Sequence, residues 1–363
     1  MNLLDRYIGL LALRVFSLVM AALTVLFSLL AFVQQLSLVG QGHYGAGDAL
    51  IHTVFAAPAL VLQLAPVAML LASLLALGLL ARHAELTAWR SLGVSEARII
   101  GALLKLAVPV IFVLFLIAQY VVPTAQLLAQ GAQEAALGAR ATALHSGGFW
   151  AAHERQFLEV GDFTAGGMPE DVDIYAFGAD GALLDYIHAM RADIAPDGTW
   201  RLRDVLVKQV VGGRFITTRA GEMDWPSFVA PAQIRLLRLP PQAMPPVGLF
   251  QYIHEMKRND QQAQNDELIF WSMVAIPVAL LAMVLAAAPF AFAAPRLQSA
   301  GRQLLIGALL GIGFELTQQL VFYAGLRLGA PPVLTALAPA LLLGGVGLYM
   351  LQRAHGALRR GSG

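Results

Sequence analysis

Cysteine is absent from the 363 residues, which excludes disulfides, thiolate metal sites, iron–sulfur ligation and thiol catalysis. Lysine is nearly absent. Lys105, Lys208 and Lys257 are the whole complement, and none follows a glycine in a phosphate-cradling loop, so the chain has no Walker A with which to hydrolyse ATP. Charge of either sign is scarce, at 13% of residues with a net charge of +1, against roughly 25% in soluble domains. No basic tract offers itself to nucleic acid. The eight histidines are scattered without HExxH or paired ligand spacing, so no metal site is expected. Gly93-Val94-Ser95-Glu96-Ala97 stops short of a nucleophile elbow, because the last glycine and a preceding strand are missing.

Apolar sequence fills the space left by charge: 58% of residues are hydrophobic and the mean hydropathy is +0.67. Six runs reach the length of about 20 residues needed to cross a bilayer as helix. They lie at 15–36, 52–81, 99–122, 267–289, 302–324 and 333–352. The first follows Arg6 and Arg14 like a signal peptide, but Val15 to Val33 outruns a signal core and lacks a small-x-small cleavage site, so it is expected to remain as a span. Basic residues gather at the N-terminus, at 82–98, around Arg296 and Arg302, and in a tail with Arg353, Arg359 and Arg360. The positive-inside rule therefore expects both termini in the cytoplasm and the long segment after the third span outside. Pro58 and Pro66 lie inside an overlong second run, which predicts a tilted or kinked helix. Lys105 lies near the inner end of the third span, where its stem can snorkel.

The stretch 82–98 is a charged island between the second and third runs. Arg82, Leu86 and Arg90 stack at i,i+4, and Glu85, Trp89 and Leu92 share another face. Gly93 is placed to end this short helix in the left-handed conformation, and Ser95 to cap the next, with Glu96 in its first turn. The pattern fits a docking knob or an interfacial helix resting on headgroups.

The segment 123–245 changes period. Short strand-like runs at 157–160, 172–177, 182–190, 199–211 and 215–220 are separated by turn signals at Asp180-Gly181 and Asp197-Gly198. An all-β sandwich or jelly roll is expected, with Trp200, Trp225, Tyr175 and Phe177 in its core. Residues 246–266 read as an amphipathic connector on the outer membrane boundary, with Leu249, Tyr252, Ile253 and Met256 on one face. Within the fifth span, Glu315, Gln318 and Gln319 are polar residues that need a partner, water or a polar ligand. Gly307-x-x-x-Gly311, with Gly313, permits close helix approach.

The expected architecture is a polytopic α-helical membrane protein of six transmembrane helices with an inserted all-β, jelly-roll-like domain on the outer side, which the resemblance below makes periplasmic. Its parts are 1–122 (three spans, with the island helix at about 82–95), 123–245 (β domain), 246–266 (connector) and 267–363 (three spans and tail).

Several motifs make the chain resemble the LptF/LptG permease family essentially end to end. They are Asp5-Arg6-Tyr7, Glu85-Leu86-Thr87-Ala88-x-Arg90-x-x-Gly93-Val94-Ser95, Phe270-Trp271 and Pro289-Phe290, together with the three-plus-three topology. Asp5-Arg6-Tyr7 and Gly-Val-Ser after the turnaround are more like the LptG branch than the LptF branch. The resemblance implies a non-enzymatic permease subunit of an ABC transporter that exports lipopolysaccharide from the Gram-negative inner membrane. It implies an LptF-type partner, a dimer of the ATPase LptB that uses ATP and Mg, and LptC leading to LptA. No cofactor is expected on this chain itself. The island becomes a coupling helix, carrying Glu85, Leu86, Trp89, Arg90 and Gly93. The first and fifth spans become the cavity and lateral gate, carrying Phe27, Phe32, Gln34, Glu315, Gln318, Gln319 and Tyr323. LptG chains often place lysines at the outer end of the first span, where this chain has Gln34, Gln35, Gln41 and His43, so Arg140 or the partner is expected to meet phosphate. Ser272-Met273 stands where the family favours a basic residue. A proton-coupled transporter using Glu315 is the rival class and would need a second titratable group beside it.

Overall fold

The computed structural model describes residues 3–137, 149–153, 155–164, 168–178, 181–195, 199–211, 214–227, 239–258, 263–292 and 300–360. Among these residues, six helical stretches are long and apolar enough to cross a membrane. In chain order the helices are α1 (Leu3–Gln35), α2 (Ala46–Arg82), α3 (Glu85–Ser91), α4 (Glu96–Leu116), α5 (Val122–Leu137), α6 (Pro246–Arg258), α7 (Gln264–Phe292), α8 (Ala300–Leu328) and α9 (Pro332–Arg360). A π turn over Ile117–Val121 joins α4 to α5. All six spans fall where the apolar runs predict them, each running past the sequence-derived limits at one or both ends.

The hub is α2, whose 37 residues extend ~55 Å at 1.5 Å per residue. It packs against α1, α5, α7 and α8. Leu70, Leu74, Leu77 and Leu80 are buried there among Ala65, Ala68, Ala72 and Ala76. Large and small residues alternate, so neighbouring helices interdigitate by van der Waals contact, which must drive association where lipid is as apolar as leucine. A Cβ at Gly307 would come within 2.5 Å of Leu71, and one at Gly311 within 2.8 Å of Val67. These two glycines let α8 close onto α2, while Gly313 faces open space.

The helical stretch after the third span corrects the domain boundary drawn at 123. The helix continues through Pro123 to Leu137, and the first described strand begins only at Phe149. Proline lacks the N–H for the preceding turn and clashes with its carbonyl. The π turn just before Pro123 absorbs that defect without ending the helix.

The described part of the inserted domain is a six-stranded antiparallel meander, β1 to β6 in sequence order. Its strands are β1 (Phe149–His153), β2 (Gln156–Phe163), β3 (Pro169–Phe177), β4 (Leu183–Ile194), β5 (Thr199–Val211) and β6 (Arg214–Pro226). One face holds a core of Leu158, Val160, Val172, Ile174, Ile187, Leu202, Trp200 and Trp225, the two tryptophans meeting edge to face at 5.9 Å. Tyr175 and Phe177 do not join that core. The two-residue period places them with Asp173 on the opposite face, where Tyr175 stacks on Tyr186 and Phe177 on Phe157. Asp173 accepts bonds there from the Tyr186 hydroxyl and His188 Nδ1, each at 2.8 Å. Glu159 lies on the same face, and burial beside Asp173 holds its carboxyl above the usual carboxylate range.

The connector is α6, but its apolar face does not rest on lipid. Leu249 and Ile253 are buried, with Tyr252 and Met256 beside them, against Val122, Leu239, Met244, Ala263 and Ile269. Tertiary packing takes up the amphipathic stripe because the chain returns directly to the membrane beside it. Gln119, in the π turn, accepts the Val247 N–H at 3.3 Å, and Lys257 pairs with Glu267 at the start of α7. The connector is thus tied to the third and fourth spans.

Candidate functional site

Two constructions at opposite ends of α2 carry the chemistry. The first is the charged turn. Leu92 ends α3, and Gly93 follows with φ +83°. The Gly93 N–H donates to the Arg90 carbonyl at 3.0 Å and the Val94 N–H to the Trp89 carbonyl at 2.9 Å, the paired bonds of a Schellman ending. The Ser95 hydroxyl then accepts the Arg98 N–H at 3.3 Å and starts α4. Arg90 reaches over the turn to buried Glu96 at 3.0 Å.

The N-terminal part of α1 holds α3 from the side. The Tyr7 hydroxyl donates to Glu85 Oε1 at 3.1 Å, and its ring meets Trp89 edge to face at 6.2 Å. One step lower, Lys105 of α4 donates to the buried Asp5 carboxylate at 2.7 Å. Lys105 is therefore a cross-helix partner. Of the residues predicted for the island, Leu86 is buried and Trp89 half-buried against the bundle. Glu85 is half-buried under Tyr7, while Arg90 and Gly93 are exposed. Thr87, Ala88, Ser91 and Leu92 form the rest of the outward surface, with Leu92 80% exposed. Sequence reasoning missed Tyr7 and Asp5, although both lie in the motif Asp5-Arg6-Tyr7.

The second construction is a cavity of about 800 Å³ among α1, α2, α4, α7, α8 and α9. Its walls are chiefly apolar, including Leu60, Ile111, Phe115, Ile276 and Phe322. Pro66 lies in the wall and leaves the Leu62 carbonyl without its helical donor. A polar band crosses the apolar lining: Gln63 from α2, Ser272 from α7, and Glu315, Gln318 and Gln319 from α8. Gln242, Met244 and Pro246 line the end beneath the connector, so the cavity reaches the segment leading from the β domain.

Glu315, Gln318, Gln319 and Tyr323 are thus brought together, and Gln319 Nε2 donates to Glu315 Oε1 at 3.1 Å. The predicted residues of α1 are not among them. Phe27 lies on the exposed side of α1, Phe32 packs toward Tyr44, Ala49 and Leu137, and Gln34 is exposed. Ala31 is the α1 residue in the lining. Arg140 lies outside the described residues. Sequence reasoning missed Gln63 and gave no role to Ser272 or Met273, both of which face the cavity. Their neutrality leaves Glu315 the one acidic or basic side chain among the lining residues. The proton-relay alternative needs a second titratable group, and among the described lining residues there is only Tyr323.

A family model described as lipopolysaccharide export system permease LptF/LptG matches residues 6–353. The chain is 30% identical over 342 residues to the lipopolysaccharide export system permease protein LptG of Haemophilus influenzae, covering 94% of this chain and 96% of that one. It is 29% identical over 361 residues to the protein of the same name from Escherichia coli K12, covering 97% and 98% respectively.

Proposed function

The chain belongs to the LptF/LptG family of lipopolysaccharide export permeases, a multi-pass inner-membrane protein, and from that premise we propose how its parts divide the work. The permease, in its LptG-like role, pairs with an LptF-type subunit and takes lipopolysaccharide into the cavity. The cavity carries this reading: an apolar space of about 800 Å³ with one polar band, reaching the segment below the β domain. The apolar walls keep acyl chains from water, sparing roughly 0.8 kcal/mol per CH₂, while relative to the equally apolar bilayer they supply no net attraction. The band orients the amphiphile instead, and with no cation in the described lining, phosphate neutralisation falls to the partner subunit or to residues outside the cavity.

Both termini lie in the cytoplasm and the β domain in the periplasm, a reading supported by the arginine distribution. The outward surface of α3 meets the LptB ATPase dimer, which binds ATP and Mg. Closure of that dimer moves α3, and Tyr7 carries the movement to α1 while Arg90–Glu96 carries it to α4. The cavity narrows and the lipid passes upward to the β domain, then to LptC and LptA. The apolar outer faces of α1 and α8, with Leu26, Leu29 and Leu30 on one and Leu305, Leu309 and Leu320 on the other, suit contact with the second permease and with lipid.

The test is co-purification of the ATPase with the complex, wild type against Leu92→Glu and Glu85→Arg. Retention by the wild type and loss in both variants is expected. Equal retention by all three would make the island an interfacial turn.

A further inference from the structure

A second pocket, of about 330 Å³, lies at the other end of α2 from the cavity, between α1, α2 and α8. Val15, Leu18, Leu75 and Leu79 form its apolar wall, and Arg14, Arg82 and Gln303 its polar rim. None of these residues lines the large cavity. The site is shaped by a close approach. A Cβ at Gly78 would lie 2.0 Å from Gln303 Nε2, so only glycine there lets the amide lie against the backbone of α2 at the pocket edge.

Arg14 stands on an exposed face of a membrane-spanning helix, and among the described residues it has no acidic partner. An arginine so placed is costly unless it snorkels to the interface, where anionic headgroups match its charge. The Arg14 guanidinium presents forked donors that match phosphate oxygens, and Arg82, which has a partner of its own, adds a second positive charge to the rim. The wall below them is apolar and lies on the membrane side, so the matching ligand is an amphiphile with a phosphate head and an acyl chain. The geometry points to a binding site for an anionic phospholipid of the cytoplasmic leaflet, headgroup on Arg14 and Arg82 and chain along Leu18, Leu75 and Leu79. Basic pockets between helices on the cytoplasmic side recognise such headgroups. The site rests on the cytoplasmic placement of the N-terminus proposed above. An occupant would bind α1, α2 and α8 together where the coupling turn begins.

The experiment titrates phosphatidylglycerol, with phosphatidylcholine as control, into the purified permease complex in mild detergent and reads bound lipid by native mass spectrometry. The wild type should retain phosphatidylglycerol in preference to phosphatidylcholine. At about 1 kcal/mol for each arginine, Arg14→Gln and Arg82→Gln should each weaken retention roughly fivefold and together roughly thirtyfold. Leu75→Trp, which fills the wall and keeps both charges, should abolish it, whereas Arg14→Lys, which keeps the charge and loses the fork, should fall between the wild type and Arg14→Gln. Unchanged retention in the double glutamine variant overturns the proposal. So does displacement by inorganic phosphate with no effect of Leu75→Trp, which would mark a bare anion site. A crosslink from position 14 to a partner's carboxylate in native membranes would overturn it too, as a protein contact. In the cysteine-free chain, Leu3→Cys should resist an impermeant maleimide in intact spheroplasts. Labelling there would refute the inward N-terminus and the leaflet assignment while leaving lipid retention intact, so the two failures separate.

Discussion

In the proposed mechanism Tyr7 is the side chain through which movement of α3 reaches α1, and its removal should uncouple hydrolysis from transport. Tyr7→Phe deletes the 3.1 Å bond to Glu85 but keeps the ring against Trp89. A neutral-to-charged hydrogen bond can contribute more than 1 kcal/mol, but Tyr7 is 49% exposed, which favours the low end, about 0.5–1 kcal/mol. Tyr7→Ala also loses the edge-to-face pair, another ~0.5–1 kcal/mol. The phenylalanine variant should therefore loosen the seat of α3 about twofold to fivefold and the alanine variant roughly fivefold to thirtyfold. Because Leu86 stays buried and the Schellman ending stays intact, α3 itself should still form and still hold the ATPase. The assay is the ratio of ATP hydrolysed to lipopolysaccharide delivered in reconstituted liposomes. That ratio should rise in the order wild type, Tyr7→Phe, Tyr7→Ala, with ATPase retention unchanged. An unaltered ratio for Tyr7→Ala would refute the route through α1. A drop in ATPase retention instead would make Tyr7 part of the seat.

Two further outcomes follow from pairs set by the fold. Lys105→Met strands the Asp5 carboxylate, which is 4% exposed and has one oxygen without a hydrogen-bond partner. Discounted for the 59% exposure of the lysine side chain, the cost should be about 1–3 kcal/mol. Asp5→Asn in the same chain should recover most of it in detergent thermal unfolding, and equal unfolding temperatures for single and double variants would show that the charge pair does not matter. In the β domain, the folded pKa of Glu159 is raised by burial and by Asp173 and Asp171. A carboxyl raised on folding favours the fold while protonated, and that contribution is lost as pH rises through the folded value. Glu159→Gln should therefore raise the unfolding temperature at pH 7, with the gain shrinking toward about pH 4. Tryptophan fluorescence from the buried Trp200–Trp225 pair reports it, and a gain that grows on acidification would reverse the sign.

The spans were legible because length and apolarity alone decide what crosses a bilayer, and the island because Gly93 and Ser95 are local signals. The strands were legible where alternation was clean, and Trp200 and Trp225 reach the core as expected. Tyr175 and Phe177 were misplaced because size suggested burial while register put them beside Asp173. The continuation into α5 was hidden by Pro123, whose cost is absorbed by a π turn that leaves no local signal. The connector announced an amphipathic face without saying whether lipid or protein would cover it. Asp5 and Lys105 lie 100 residues apart, and Gln63 joins Glu315 in one cavity lining only through helix packing. Such long-range pairings are set by how α2 meets its neighbours, which no local period encodes.

The central claim is that lipopolysaccharide occupies the cavity and leaves it when the ATPase closes. The most direct measurement is photocrosslinking from a benzoylphenylalanine placed at Gln318, in the cavity, against one at Leu342, 65% exposed on α9, in the reconstituted complex. The account predicts a lipopolysaccharide adduct at 318 that falls when ATP is added, and little adduct at 342 in either state. Equal adducts at both positions, or an adduct at 318 indifferent to ATP, would contradict it.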